Sequence, residues 1–260
     1  LTDEVVGEQA TSLYEDAQNM LKHMIANQSL KPKAVFGLFE ANTINDDDIS
    51  IQKKGEEIGM FRTLRQQLKK REGKPSLALA DFIAPKETGK QDYMGAFCTA
   101  IFGADELANS YREQYDDYNG ILVQAIADRF AEAFAEYLHH RVRTKHWGYA
   151  SDENLSNDEL IKEAYKGIRP APGYPACPDH LEKETIWELL QVKERIGVTL
   201  TESMAMWPAA AVSGYYFSNQ EAKYFGLGKI TDDQVTNFAT RKGITKEKAR
   251  KWLHPAIAEN

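Results

Sequence analysis

Arg169-Pro-Ala-Pro-Gly-Tyr174 places a planar guanidinium, a bare glycine and an aromatic ring along six residues of stiffened backbone. An arginine fork matches a carboxylate with two parallel N–H donors. An aromatic face attracts a cation. Gly173 allows close approach to the chain, and the N–H groups of Arg169, Ala171, Gly173 and Tyr174 are the donors left beside two prolines. A zwitterionic ligand with a carboxylate, a cationic centre and a hydrogen-bonding ring satisfies that set. The same residues also suit a plain helix stop, with Arg169 paired to a nearby acid and Tyr174 packed in the core. From the residues alone both readings stand.

The wider stretch, Gly167 to His180, carries four of the nine prolines of the chain, all between Pro170 and Pro178. Each fixes its own φ and disfavours helix at the residue before it, so the stretch is a rigid connector. Residues 156–167 before it and 181–192 after it read as helices, the first opened by Ser156 or Asn157 as a cap. Residues 198–203, 213–218 and 223–230 read as strands, followed by two helices starting at Thr231 and Thr245.

Upstream, Val6, Ala10, Leu13, Ala17, Met20, Leu21 and Met24 recur at helical spacing, which predicts one amphipathic helix over residues 4–26. Residues 34–42 and 47–51 read as a hairpin, 59–64 as a third strand, and 77–85 and 93–102 as apolar strands. A long helical region follows from 104 to 147, broken at Gly120. Its stripe is Leu122, Ile126, Phe130, Phe134, Leu138 and Val142, with alanines 125, 127, 131, 133 and 135 small enough for a neighbour to pack closely. Strands cluster, then helices, then strands again. This predicts an α+β fold, a largely antiparallel twisted sheet packed with long helices, as a single domain over 1–260.

Bulk properties narrow the function. A net charge of −7 argues against nucleic-acid or anionic-membrane binding, and no apolar run has the length of a membrane span. The chain begins without Met and runs directly into a helical pattern, so it reads as a piece of a longer protein. Two cysteines, Cys98 and Cys177, are too few for a disulfide framework and fit a reducing, cytoplasmic compartment. Cys177 and His180 lack the second pair a structural zinc would need, and no metal site is expected. His139 and His140 are adjacent and point apart on a helix. No dinucleotide fingerprint, phosphate loop or nucleophile elbow is present, so no catalytic residue is assigned. The basic run 241–251 reads as a solvated helix face, with docking of an acidic electron donor as the alternative.

"GIRPAPGYPACPDHLEK", "DDYNGILVQAIADRFAEAFAEYLHHRVR", "TESMAMWPAAAVSGYYFS" and "KYFGLGKI" together resemble, in order and over essentially the whole chain, the activation domain of cobalamin-dependent methionine synthase. The resemblance implies a module that binds S-adenosylmethionine as the methyl donor for reductive methylation of cob(II)alamin. The cobalamin would be held by another domain of the same enzyme, and the electron supplied by a flavodoxin-type donor. It assigns Arg169 to the methionyl carboxylate, Ala171 and Gly173 to backbone contacts, and Tyr174 to the sulfonium. The usual Tyr-Tyr pair falls on Tyr224 and Phe225, so a hydroxyl contact at the second position is lost. Glu132 aligns with an acid that accepts from the ligand's ribose or amino group, although its helical face, with Asp128, Arg129, Glu136 and His139, reads as solvated. In the family a further acidic contact comes from a segment N-terminal to this stretch. The competing reading is a protein-interaction or structural module without a small-molecule site.

Overall fold

The computed structural model describes residues 7–258. In chain order the elements are α1 (Gly7–Ala26), β1 (Lys31–Ile44), β2 (Asp48–Lys53), β3 (Glu56–Arg62), β4 (Asp92–Phe102), α2 (Ala104–Arg112), α3 (Asp117–Arg141), α4 (Asn157–Ile161), α5 (Glu182–Leu190), α6 (Val192–Ile196), β5 (Thr199–Leu200), β6 (Met206–Trp207), β7 (Ala211–Tyr216), α7 (Asp232–Lys242) and α8 (Lys246–Leu253). A π-helical turn, Val142–His146, continues α3. The five-stranded sheet has the order β3-β2-β1-β4-β7. The β1–β2 and β2–β3 pairs are antiparallel, with Thr43 opposite Ile49 and Ile49 opposite Phe61. The α+β expectation and its antiparallel sheet hold.

The chain groups into two compact units. Of the described residues, unit 1 takes 7–34, Cys98–Tyr137 and Ile196–Val212, and unit 2 takes Val35–Phe97, Leu138–Arg195 and 213–258.

In unit 1, α1, α2 and α3 pack through Met20, Met24, Ala104, Ala108, Leu122, Val123, Ala127 and Ala131. Ala127, Ala131 and Ala135 are the buried row of α3, while Ala125 and Ala133 are exposed. Small side chains let a neighbouring helix come close, so the alanines take the centre. Phe130 and Phe134 border them, half-buried. The break before α3 falls at 113–116, where Asp116 accepts from the Asn119 N–H (3.0 Å), and Gly120 lies inside the helix. Residues 4–6 of the expected first helix lie outside the described residues.

In unit 2, α7 and α8 close over Leu64, Leu227, Ile230, Val235, Phe238 and Leu253. Two expected strands are absent. Residues 77–85 contain a 3-10 turn at Leu79–Phe82, because the Asp81 carboxylate accepts from the Ala78 N–H (2.8 Å) and also takes Arg65. An apolar run does not by itself separate strand from buried turn. Residues 223–230 run irregularly, held by Leu227 N–H to Pro175 O (2.8 Å) and Ile230 N–H to Ala256 O (2.9 Å). Helix α4 is a short piece of the helix expected from 156 to 167. Ser156 and Glu159 form its capping box, and Glu163 at φ 55° ends the turn.

Candidate functional site

The proline-rich segment lies in unit 2 and is laid against the end of β7. Ile168 and Phe217 exchange both backbone hydrogen bonds (3.0 Å each), and the Tyr215 N–H donates to Pro170 O (2.9 Å). Gly214 makes this approach possible. A Cβ there would sit 2.6 Å from Pro170 O, so any side chain would push the segment off the strand. Prolines supply stiffness, and β7 supplies the position.

Beyond Pro170 the chain turns back on itself. The Tyr174 N–H donates to Ala171 O (3.2 Å), the Gly173 N–H to Cys177 O (2.7 Å) and the Cys177 N–H to Tyr174 O (2.9 Å). Two of the donors expected to face a ligand, those of Gly173 and Tyr174, are therefore used within the loop. Gly173 has φ +94°, and a Cβ there would fall 2.1 Å from the His180 ring. His180 thus fills the direction a side chain would take, so the position requires glycine, while Gly173 itself stays exposed. The Arg169 N–H donates to the Tyr224 hydroxyl (3.0 Å), so a third expected donor ties the loop to the irregular segment after β7.

Side chains remain accessible around this backbone. Arg169 and Ala171 are half-buried, Tyr174 is 61% exposed and Tyr224 is 39% exposed. Phe225 turns inward, its ring edge-on to Phe82 at 6.3 Å. Six of the seven expected site residues, from Arg169 to Phe225, thus gather in unit 2. Glu132 lies in unit 1, half-buried on α3, with Asp128 and Arg129 exposed beside it. His139, expected on the same solvated face, is fully buried.

Beneath the loop is a set of residues that spacing does not reveal. Arg143 is fully buried and meets Glu153 with two N–H donors at 2.8 and 2.7 Å. Its guanidinium lies 4.2 Å over the ring of Tyr165. The His139 ring is edge-on to Tyr165 (4.9 Å) and stacks on Tyr216 (5.1 Å), which stacks in turn on Phe97 (4.6 Å). Burial, with the charges of Arg143 and Arg169 nearby, holds His139 well below the ordinary imidazole range, so it is neutral. The Tyr165 hydroxyl stands 3.2 Å from that of Tyr224. In sequence, His139 and Arg143 sit within the basic run "HHRVRTKH". Arg143 follows buried Ala131, Ala135 and His139 at steps of four, so the buried side of α3 continues into the π turn.

Cys177 and His180 do different jobs. The thiol is buried 3.9 Å from the Tyr215 hydroxyl, and burial pushes it well above the ordinary range, which makes it inert. Nearby, Lys242 meets Asp179 (2.7 Å) and Glu182 (2.5 Å), while the Arg62 N–H reaches the other Glu182 oxygen (3.1 Å). Burial raises the Glu182 carboxyl. Much of the basic run 241–251 is spent on such pairs: Arg241 on Asp48, Lys242 here, and Lys246 and Arg250 on Asp232.

Hollows lie elsewhere as well. One of about 760 Å³ in unit 1 is lined by Met24, Leu30, Ile101, Phe130 and Phe134, with Lys31 and Gln28 as its few polar members. None of the loop residues lines it. Among the described residues no helix is long and apolar enough to cross a membrane.

Two comparisons bear on identity. A family model described as the vitamin B12 dependent methionine synthase activation domain matches residues 1–243. A crystal structure of the MetH reactivation domain bound to AdoHcy superposes with a TM-score of 0.95 at 52% sequence identity, over 99% of this chain and 80% of that one. The chain belongs to the family of activation domains of vitamin B12-dependent methionine synthase.

Proposed function

We propose that this chain binds S-adenosylmethionine and presents its methyl group to the cobalamin of the same enzyme, returning cob(II)alamin to methylcobalamin. The observation that carries the reading is the loop geometry: Arg169 half-buried at the start of a backbone that cannot rearrange, with Tyr174 and Tyr224 open beside it. AdoHcy, held by the similar reactivation domain, is what S-adenosylmethionine becomes on losing that methyl. The reaction balances with one electron added: cob(II)alamin, one electron and S-adenosylmethionine give methylcobalamin and S-adenosylhomocysteine.

In this reading Arg169 takes the methionyl carboxylate as a charge-assisted pair, and Tyr174 lies near the sulfonium. Ala171 supplies a backbone contact. Gly173 supplies a surface without a side chain, since its N–H serves Cys177. Tyr224 offers its ring and hydroxyl edge, Phe225 only ring or backbone contact. Glu132 is assigned to the ribose or amino group. No side chain needs to move a proton: the protein contributes position, and a fixed donor geometry lowers the barrier to displacement. The loop surface is open, as approach by another domain requires.

The electron is assigned to a flavodoxin-type donor and the compartment to the cytoplasm. Both cysteines are free and buried, in keeping with a reducing environment. Lys248 and Lys251 are the exposed lysines of the basic run on α8 that a donor with an acidic face would meet.

Isothermal titration with S-adenosylmethionine tests the reading. Arg169→Ala removes a charge-assisted contact of about 1.5–3 kcal/mol, a loss of roughly ten- to a hundredfold in affinity. An affinity equal to wild type refutes the assignment.

A further inference from the structure

Tyr165 is buried, and its ring is held on several sides. The Arg143 guanidinium covers it at 4.2 Å, and the His139 ring meets it at 4.9 Å and 81°. Both holders are fixed in turn, Arg143 by the two-pronged Glu153 and His139 by the stack on Tyr216 and Phe97. The one polar atom of Tyr165 is therefore delivered to a defined point, 3.2 Å from the Tyr224 hydroxyl.

Tyr224 is the opposite case. It is 39% exposed and sits in the irregular segment after β7. Its hydroxyl accepts the Arg169 backbone N–H at 3.0 Å. Between the two phenols, one donates and the other accepts, a role that phenylalanine at 165 cannot fill.

We infer that Tyr165 is a positioning residue for the ligand site: its hydroxyl anchors that of Tyr224, and through the Arg169 N–H it sets both the open ring and the start of the loop. The inference rests on the ligand reading above for its consequence, while the anchoring itself is a property of the chain without ligand. Rigid support behind exposed contact groups is what keeps such groups within the tolerance that binding needs.

Tyr165→Phe is the test, because it keeps the ring against Arg143 and His139 and removes only the hydroxyl. Two readouts are taken on the same chain. Amide hydrogen exchange at Arg169 is expected to quicken several-fold, and S-adenosylmethionine affinity to fall about three- to tenfold, the size of one hydrogen bond. Tyr224→Phe should quicken the same amide, and the double variant should add little to it, since both act on one contact. A cooperative thermal transition in Tyr165→Phe shows that the fold is kept. Arg169 exchange unchanged in Tyr165→Phe overturns the anchoring. Faster exchange with undiminished affinity overturns the positioning role. A wild-type chain that takes no S-adenosylmethionine overturns the functional reading and the positioning role with it, leaving the exchange result to decide the anchoring alone.

Discussion

The hollow of unit 1 and the loop of unit 2 offer a ligand opposite things. The first has about 760 Å³ of space walled by Met24, Leu30, Ile101, Phe130 and Phe134. The second sets a guanidinium, two exposed phenol rings and a fixed backbone beside one another. A carboxylate entering the hollow would lose water among mostly apolar walls, with Lys31 and Gln28 as the polar partners. A carboxylate at Arg169 exchanges water for a charge-assisted pair. For a charged ligand the chemistry of the lining decides, and it favours the loop of unit 2.

The two regions also differ in what holds them. Unit 1 is a contact of helices through alanine and methionine, where small changes at the rim are absorbed. The loop of unit 2 stands on a buried ion pair and a stack of rings, so its supports are few and each counts. The largest expected effect follows. Glu153→Ala leaves the Arg143 guanidinium buried without its carboxylate, which should cost about 3–5 kcal/mol in a urea unfolding curve. A loss below 1 kcal/mol would mean that the pair does not brace unit 2.

The next effect is in pH. His139 in the folded chain is held well below its ordinary value by burial and by the nearby guanidinium charges. Above about pH 6.5 it is neutral in both folded and unfolded chains, and its contribution is fully present. As pH falls below that value the unfolded chain takes up a proton that the native chain refuses, and stability is lost towards the lower, folded value. The slope is at most about 1.4 kcal/mol per pH unit. Unfolding curves at pH 7 and pH 5 should therefore differ less for His139→Phe than for wild type. Equal pH sensitivity in the two proteins would show that His139 is not kept neutral.

The smallest effect sharpens the contrast between the units. Ile25 lines the hollow of unit 1 and is 66% exposed. Ile25→Ser should leave S-adenosylmethionine affinity unchanged and stability within about 0.5 kcal/mol. A weakened affinity would move the site towards the hollow.

What could be read from the residues, and what could not, follows the same division. Helix α1, the β1–β2 hairpin and α8 with its Thr245 cap announce themselves by periodicity and capping, and α7 starts after Thr231 as expected although that side chain makes no cap bond. The stiffness of 167–180 is plain from its prolines. Its anchorage is not, because it depends on Gly214 and Phe217, about 45 residues further on, and no local pattern links them. Arg143 and His139 look solvated in a basic helix end. Arg143 lies one step of four past His139 on the buried side and meets Glu153, an acid that nothing in the sequence singles out. The four residues Arg169, Ala171, Gly173 and Tyr174 were legible as a group. The polar support under them, Tyr165 above all, emerges only from packing between segments distant in the chain.

The central claim is that the loop surface at Arg169 is where the sulfonium ligand sits. A crystal soaked with S-adenosylmethionine tests it directly. Density for the methionyl carboxylate on the Arg169 guanidinium, with the sulfonium beside Tyr174, is the result expected. Density confined to the apolar hollow of unit 1, or a loop surface left bare at saturating ligand, would contradict it.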